Sequence, residues 1–472
     1  MGRKSRGRAG AGPTGRSNSS RGARSRSARY PKLKPGPGLS AADVAAHQRG
    51  RLQEAMVELV AKHGYNGFAV ATLSNHASVS KRDFYKHFAG KEECFLAAYD
   101  SIVSHSVRGI LAAAEGEEEW RERLRLGFLA FAGQIASSPD AARLALVDVF
   151  AAGPIAAEPM LRTSRLFESL VAKNLAFADG APRLPRLVVK GIVAGGGRMA
   201  RAQLLSGHVR EPALDGGELL EWALSLRDDD VVRLRGLGAA GAPPLPAAVA
   251  EMPLVDERAL ILAATARLAS EGGYATLTVP RVRATAGVSR RSFDTHFEGV
   301  ADCFLATLEM LGGRTLAAVA PFYLTADDWA SGVHRMISSL CRHLPCDPTF
   351  TSLAFPQVFS PSLEAIQWRN DMTARLATMF RRGAPPEQQP SRFAAEASVG
   401  AIWGVIHHFV AIGHGAQLPI AAPMLSYIAL APALGGAAAV DVILAEDGEK
   451  ADADVAPGAG NFQHSIDRNR FT

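Results

Sequence analysis

Apolar positions recur with a helical period at two corresponding places in the chain. Leu52, Ala55, Met56, Leu59 and Val60 fall at i, i+3, i+4, i+7 and i+8, an amphipathic stripe that predicts a helix ending near Gly64. Ile261, Ala264, Leu268 and Ala269 repeat the stripe before Gly272-Gly273. A second short helix is predicted from Val70 to Ala77, and its twin from Thr278, a residue type suited to an N-cap, to Ala286. A tight turn follows each, at Ser78-Val79 and Gly287-Val288. Ser80-Lys81-Arg82-Asp83 then reads as a capped helix start, with the aspartate at the third helical position reaching back as in a capping box. Phe84 and Phe88, four apart, face inward as core, as do Phe293 and Phe297. Lys81, Arg82, Tyr85 and Lys86 are left facing outward.

The two patterns belong to one repeat. A shift of 209 residues aligns Ala77, Val79, Ser80, Arg82, Phe84, His87-Phe88 and Cys94-Phe95-Leu96-Ala97 with Ala286, Val288, Ser289, Arg291, Phe293, His296-Phe297 and Cys303-Phe304-Leu305-Ala306. Without a gap, Trp120 meets Trp329, Pro139 meets Pro348, and Val149-Phe150 meets Val358-Phe359. Gly191 and Gly195 likewise meet Gly400 and Gly404. A colinear series of this length is a duplication of a unit of about 200 residues, the signature that a fixed repeat period leaves in a sequence.

Composition sharpens the picture. Aromatic residues make up only 7% of the 472, which with abundant Ala, Leu, Arg and Glu favours an all-α fold. The net charge of +6 hides a split: residues 1–42 hold eleven Lys and Arg and no acid, leaving 41 basic residues against 46 acidic ones elsewhere. That tail (Arg3, Arg6, Arg8, Arg21, Arg24, Arg26 and Arg29 among its cations) lacks the apolar surface to offset ordering entropy and is expected to be disordered. It has no apolar run and does not read as a secretory signal. The longest apolar region, 398–444, is broken by His407, His408, His414, Gln417 and prolines, and reads as a buried helix pair, not a membrane span. Residues 236–253 form a Gly/Ala/Pro linker; the Gly236–Gly241 string fits a dinucleotide fingerprint, but Pro243, Pro244 and Pro246 deny the helix that fingerprint needs. Four cysteines make no disulfide framework, and Cys94 and Cys303 occupy equivalent core positions. Cys341, His343 and Cys346 with the three histidines fit no common zinc spacing, so no metal or other cofactor is expected. No catalytic motif stands out, and the chain reads as a non-enzyme.

Helix, turn and a second helix with cations at its start is the helix-turn-helix plan. The stretch from Ala77 to Phe88 (ASVSKRDFYKHF), with Lys91-Glu92-Glu93 behind it, resembles the DNA-binding signature of the TetR/AcrR regulators. The resemblance spans about 50 residues in each repeat; beyond that it is helical character and length only. It implies an all-α protein of two tandem TetR-like units, each a three-helix head and a helical ligand-binding and dimerisation body. The expected divisions are a tail at 1–40, heads at 41–103 and 254–312, bodies at 104–235 and 313–444, the linker at 236–253, and a disordered tail at 445–472. It further implies that Tyr85 and His87 lie close to the DNA backbone, that Lys91 contacts phosphate, and that Lys81 and Arg82 reach bases or phosphates. Independently of the family, lysine and arginine at such a site suit guanine edges and phosphates.

The second head offers Thr278, Arg290, Arg291, Thr295 and His296 to DNA, but Tyr85, Lys86 and Lys91 become Asp294, Thr295 and Val300. It is expected to bind more weakly or to read a different half-site, because a carboxylate repels phosphate. Glycines four apart at 191/195 and 400/404 permit close helix approach. The TetR resemblance implies that the last helices form the dimer interface, so 187–202 is expected to pack against 397–410 as a single-chain pseudodimer, with a homodimer as the alternative. The implied function is a cytoplasmic regulator, a repressor by family default, that binds a double-stranded DNA operator under control of a small, apolar effector. A ligand- or partner-binding helical protein with degenerate heads is the competing reading.

Overall fold

The computed structural model describes residues 40–176, 184–206, 216–227, 229–235, 237, 256–355 and 363–453. The basic tail, the linker apart from Leu237, and Val358-Phe359 lie outside them. The described residues are helical, with no strand among them. Nineteen α-helices are used below: α1 (Ala41–His63), α2 (Val70–His76), α3 (Lys81–His87), α4 (Lys91–Ala113), α5 (Trp120–Ser137), α6 (Pro139–Leu146), α7 (Ala157–Ala176), α8 (Arg186–Ser206) and α9 (Gly216–Ser225) in the first repeat. The second repeat has α10 (Glu257–Gly272), α11 (Val279–Ala286), α12 (Arg290–His296), α13 (Val300–Leu324), α14 (Trp329–His343), α15 (Pro348–Ala354), α16 (Leu363–Gly383), α17 (Arg392–Ala411) and α18 (Leu418–Leu434), with α19 (Gly436–Ala453) closing the chain. The 209-residue register is visible in the elements: Trp120 and Trp329 open α5 and α14, and Pro139 and Pro348 open α6 and α15, where proline's missing N–H leaves no bond unmade.

The chain falls into two compact units, divided between Ala98 and Tyr99 within α4. In the first, α1–α3 and the first turns of α4 enclose Leu52, Met56, Leu73, Phe84, Phe88 and Phe95, each almost fully buried. The predicted stripe of α1 is that core face.

The second unit holds the second head and both bodies on one continuous core. Its main joint is α8 against α17. Glycine makes this approach possible: a Cβ on Gly195 would stand 2.8 Å from the Ala397 carbonyl oxygen, and one on Gly404 would overlap the Ala194 methyl. Beside this joint a polar relay links α9, α17 and α18, the Trp222 indole N–H donating to Ser398 Oγ (3.0 Å), which donates to the Ile428 carbonyl (2.9 Å).

By length and composition alone, α13, α17 and residues 415–434 are apolar enough to cross a membrane. In the fold, α18 buries a continuous run from Ala421 to Ala431, which explains its apolarity as core. The chain remains helical to Ala453, past the Leu444 at which the sequence pattern places the end of the second body. Polar contacts tie the first of the extra turns to α14. Arg335 grips Glu446 through two bonds (2.7 and 2.9 Å), and buried His334 meets Asp447 at 3.1 Å and Ser426 Oγ at 2.9 Å.

Candidate DNA-binding heads

In the first head, α1 stops at Gly64, whose φ of +70° and ψ of 164° form a conformation all but reserved for glycine; Gly273 ends α10 in the same way. The turn between α2 and α3 passes through Ser78 at φ +54°, and its counterpart Gly287 has φ +69°. Arg51, buried at 5% exposure, fixes the first turn from beneath. Its Nε and Nη2 donate to the Ala77 carbonyl (3.0 and 2.7 Å), and Nη2 also donates to the Ser78 carbonyl (2.5 Å). Leu260 stands at the equivalent place in the second head, so that head has a glycine in its turn and no such clamp.

Ser80 caps α3, its hydroxyl accepting from the Asp83 N–H at 3.0 Å. The Asp83 carboxylate reaches back to the Ser80 hydroxyl (2.7 Å) rather than to its backbone N–H, while its other oxygen accepts from Lys86 Nζ (2.7 Å). The full reciprocal box expected here forms instead at Ser40 and Asp43, at the start of α1. These contacts hold the Asp83 carboxyl below the usual carboxylate range, the Lys86 bond most of all. Lys81, Arg82, Tyr85 and Lys86 are exposed, as the sequence predicts. Lys81 and Arg82 form no ion pair among the described residues, so their charge is open at the capped end of α3.

His87 and Lys91 are turned partly inward. The His87 ring meets Gln48 Oε1 at 2.9 Å, and burial followed by the nearby Arg49 pushes its pKa down. The Lys91 ammonium donates to the carbonyls of Tyr65 (2.7 Å) and Phe68 (2.9 Å) and sits over both rings, 4.6 and 4.8 Å from their centroids. Two of its three N–H bonds are thus used within the head, leaving one for a phosphate. Arg49 and Arg51, which sequence reasoning missed, organise this surface from behind. Arg49 donates to the His87 carbonyl (3.0 Å) and stacks on Phe88 at 4.4 Å, and Arg258 repeats the stacking on Phe297 at 5.6 Å.

In the second head, Thr278 caps α11, its hydroxyl accepting from the Arg281 N–H. Arg290, Arg291, Asp294, Thr295 and His296 are exposed on α12. Arg290 Nε binds Asp294 at 3.1 Å, and Thr295 Oγ donates to the Arg291 carbonyl at 2.8 Å. The Asp294 substitution therefore engages one of the two arginines. Cys94 and Cys303 lie buried in the two heads, where burial pushes their thiols up to about 12 and about 11, far from the thiolate that redox chemistry needs. Among the described residues no three metal-ligating side chains gather.

The family model for bacterial regulatory proteins of the tetR family matches residues 52–98 and 261–307, the two heads. The HTH-type transcriptional activator FasR of Mycolicibacterium smegmatis is 26% identical over 148 residues, 31% of this chain and 68% of FasR. Among solved structures, the fatty acid degradation regulator FadR from Bacillus halodurans overlays on 41% of this chain and 97% of its own, at 15% identity and a TM-score of 0.34. A TetR-like regulator from Rhodococcus sp. RHA1 overlays on 38% of this chain and 94% of its own, at 18% identity and a TM-score of 0.33. Overlays this partial are a likeness and nothing more. The paired family match, on heads that the 209-residue repeat and the shared turn geometry already equate, identifies both as TetR-type heads, carried in tandem by one polypeptide.

Proposed function

We propose that the chain binds a double-stranded operator through both recognition helices, its two bodies paired as a single-chain pseudodimer under control of a small-molecule effector. The observation that carries this reading is the capped start of α3, where Lys81 and Arg82 are exposed and unpaired among the described residues. Tyr85, Lys86, His87 and Lys91 complete the first contact surface. Thr278, Arg290, Arg291, Thr295 and His296 form the second, weakened by Asp294 and Val300. The α8–α17 joint supports pairing within the chain. The effector acts by altering the separation of the recognition helices, since adjacent half-sites must lie one helical turn, about 34–36 Å, apart. Action in the cytoplasm follows from a role in transcription.

Selection of bound sequences from random DNA, with stoichiometry, tests the proposal. An asymmetric site bound by one chain of 49.9 kDa supports it. A palindrome bound by two chains assigns pairing to separate molecules, and no enrichment moves the function to the bodies as a ligand- or partner-binding protein. Lys81/Arg82→Ala is expected to weaken binding more than Arg290/Arg291→Ala, with a steep salt dependence marking phosphate contacts. For the sign of regulation we propose repression: a promoter reporter should rise when Lys81/Arg82→Ala abolishes binding. A fall would place the chain with FasR, which is named an activator.

A further inference from the structure

Away from the heads, three arginines converge where α8 of the first repeat meets α16 and α17 of the second. Arg198 and Arg369 are 3% and 1% exposed, and Arg201, one turn after Arg198 on α8, is half-buried. Arg198 Nε donates to Thr373 Oγ at 3.0 Å, one turn along α16 from Arg369, and its stem lies against Gly400 of α17. Arg198 Nη1 and Arg201 Nε are themselves buried and have no hydrogen-bond acceptor among the described residues. The Trp403 Nε1, on the face of α17 shared with His407, is a third buried donor in the same state. We propose that Arg198, Arg201 and Arg369 form an anion-binding site at the joint between the two repeats, taking a small ligand with two or more negative charges, such as a phosphate ester.

A guanidinium keeps its proton under all ordinary conditions, so holding Arg201 one turn from buried Arg198 calls for opposing charge; Arg369 itself donates to the Asn370 side chain. The carboxylates that act on Arg198 are Glu396 and Asp371, and Glu396 already accepts from Arg392 at 2.9 Å. Among the described residues none offsets Arg201. Burial and then Arg198 push its pKa down to about 10, and Arg369 is pushed well down by burial and by both other arginines. A phosphate supplies the missing charge and accepts from planar guanidinium forks bidentately. The Phe150 ring, 5.9 Å from the Arg201 guanidinium, adds an apolar wall on one side of it.

The test titrates inorganic pyrophosphate into the full chain, following Tm and heat of binding against sodium chloride at matched ionic strength. A saturable rise in Tm with pyrophosphate alone is expected, and Arg201→Gln should weaken it by about tenfold or more. Arg201→Lys, which keeps the charge without the fork, provides the second variant should the glutamine protein fail to fold, and it too should bind more weakly. No saturable response, or equal responses from the wild type and a folded variant, overturns the proposal.

Discussion

At Ser78 the first head holds a side chain in the left-handed region that its twin gives to Gly287, and Arg51 holds the carbonyls on either side. A left-handed conformation costs a non-glycine residue roughly 1–2 kcal/mol. Ser78→Gly should therefore leave the fold unchanged and stabilise the first head by about 0.5–1 kcal/mol, the gain being reduced by glycine's larger unfolded-state entropy. Gly287→Ala should destabilise the second head by roughly 1–2 kcal/mol. Hydrogen exchange at the amides of α3 and α12 reads both effects, and faster exchange in Ser78→Gly would contradict the strain. The turns themselves were legible, because each falls between two helical stretches with cations just beyond. Arg51 was not: a guanidinium bonded to carbonyls 26 residues away leaves no periodic trace. Lys91 was half legible, since its identity marks the family position but not the two carbonyls that hold it.

Among the elements, the tryptophans and prolines matched by the repeat register stand at the openings of α5 and α14 and of α6 and α15, although the matches alone predict no helix there. The glycines at 191/195 and 400/404 are legible as faces that permit close approach, and the TetR resemblance supplies the pairing of the last helices; α8 and α17 meet on those faces. The end of α19 was missed. Periodicity follows apolar residues, and the turn just past Leu444 is tied to α14 through Glu446 and Asp447. Glu446→Ala should cost about 1 kcal/mol, since the bond to Arg335 is charge-assisted but that arginine is partly solvated. Its signature would be faster hydrogen exchange confined to α19 and the adjoining turns of α14. Exchange unchanged in α19 would show that the helix is held by its apolar face alone.

For the whole molecule, the two-copy plan and the all-α fold were readable from the chain, while the buried charge at the joint was not: an arginine in an amphipathic helix ordinarily faces water. The same region imposes an acid limit on stability. His407 and His408 on α17 are both pushed down to about 4, burial being the first cause in each, followed for His408 by the Lys190 ammonium. Their ordinary value is about 6.5, so between about pH 6.5 and 4 the unfolded chain binds the protons that the folded chain refuses. Stability should be independent of these two groups above that window and fall as pH drops through it, by up to about 1.4 kcal/mol per pH unit for each histidine. Urea unfolding across pH 4–7 checks this, and a His407→Gln/His408→Gln double variant should show a shallower slope than wild type. Equal slopes would assign the acid sensitivity to other groups.

The joint between α8 and α17 lies within one polypeptide, so its halves meet at an effective concentration fixed by the tether and not by how much protein a cell holds. Dilution cannot part them without unfolding. Nor does a two-fold axis oblige the halves to match, as it does when identical subunits pair. A change in one head is no longer copied into the other. Tyr85 against Asp294, Lys91 against Val300 and Arg51 against Leu260 are three differences of the kind that one polypeptide can carry in one half alone.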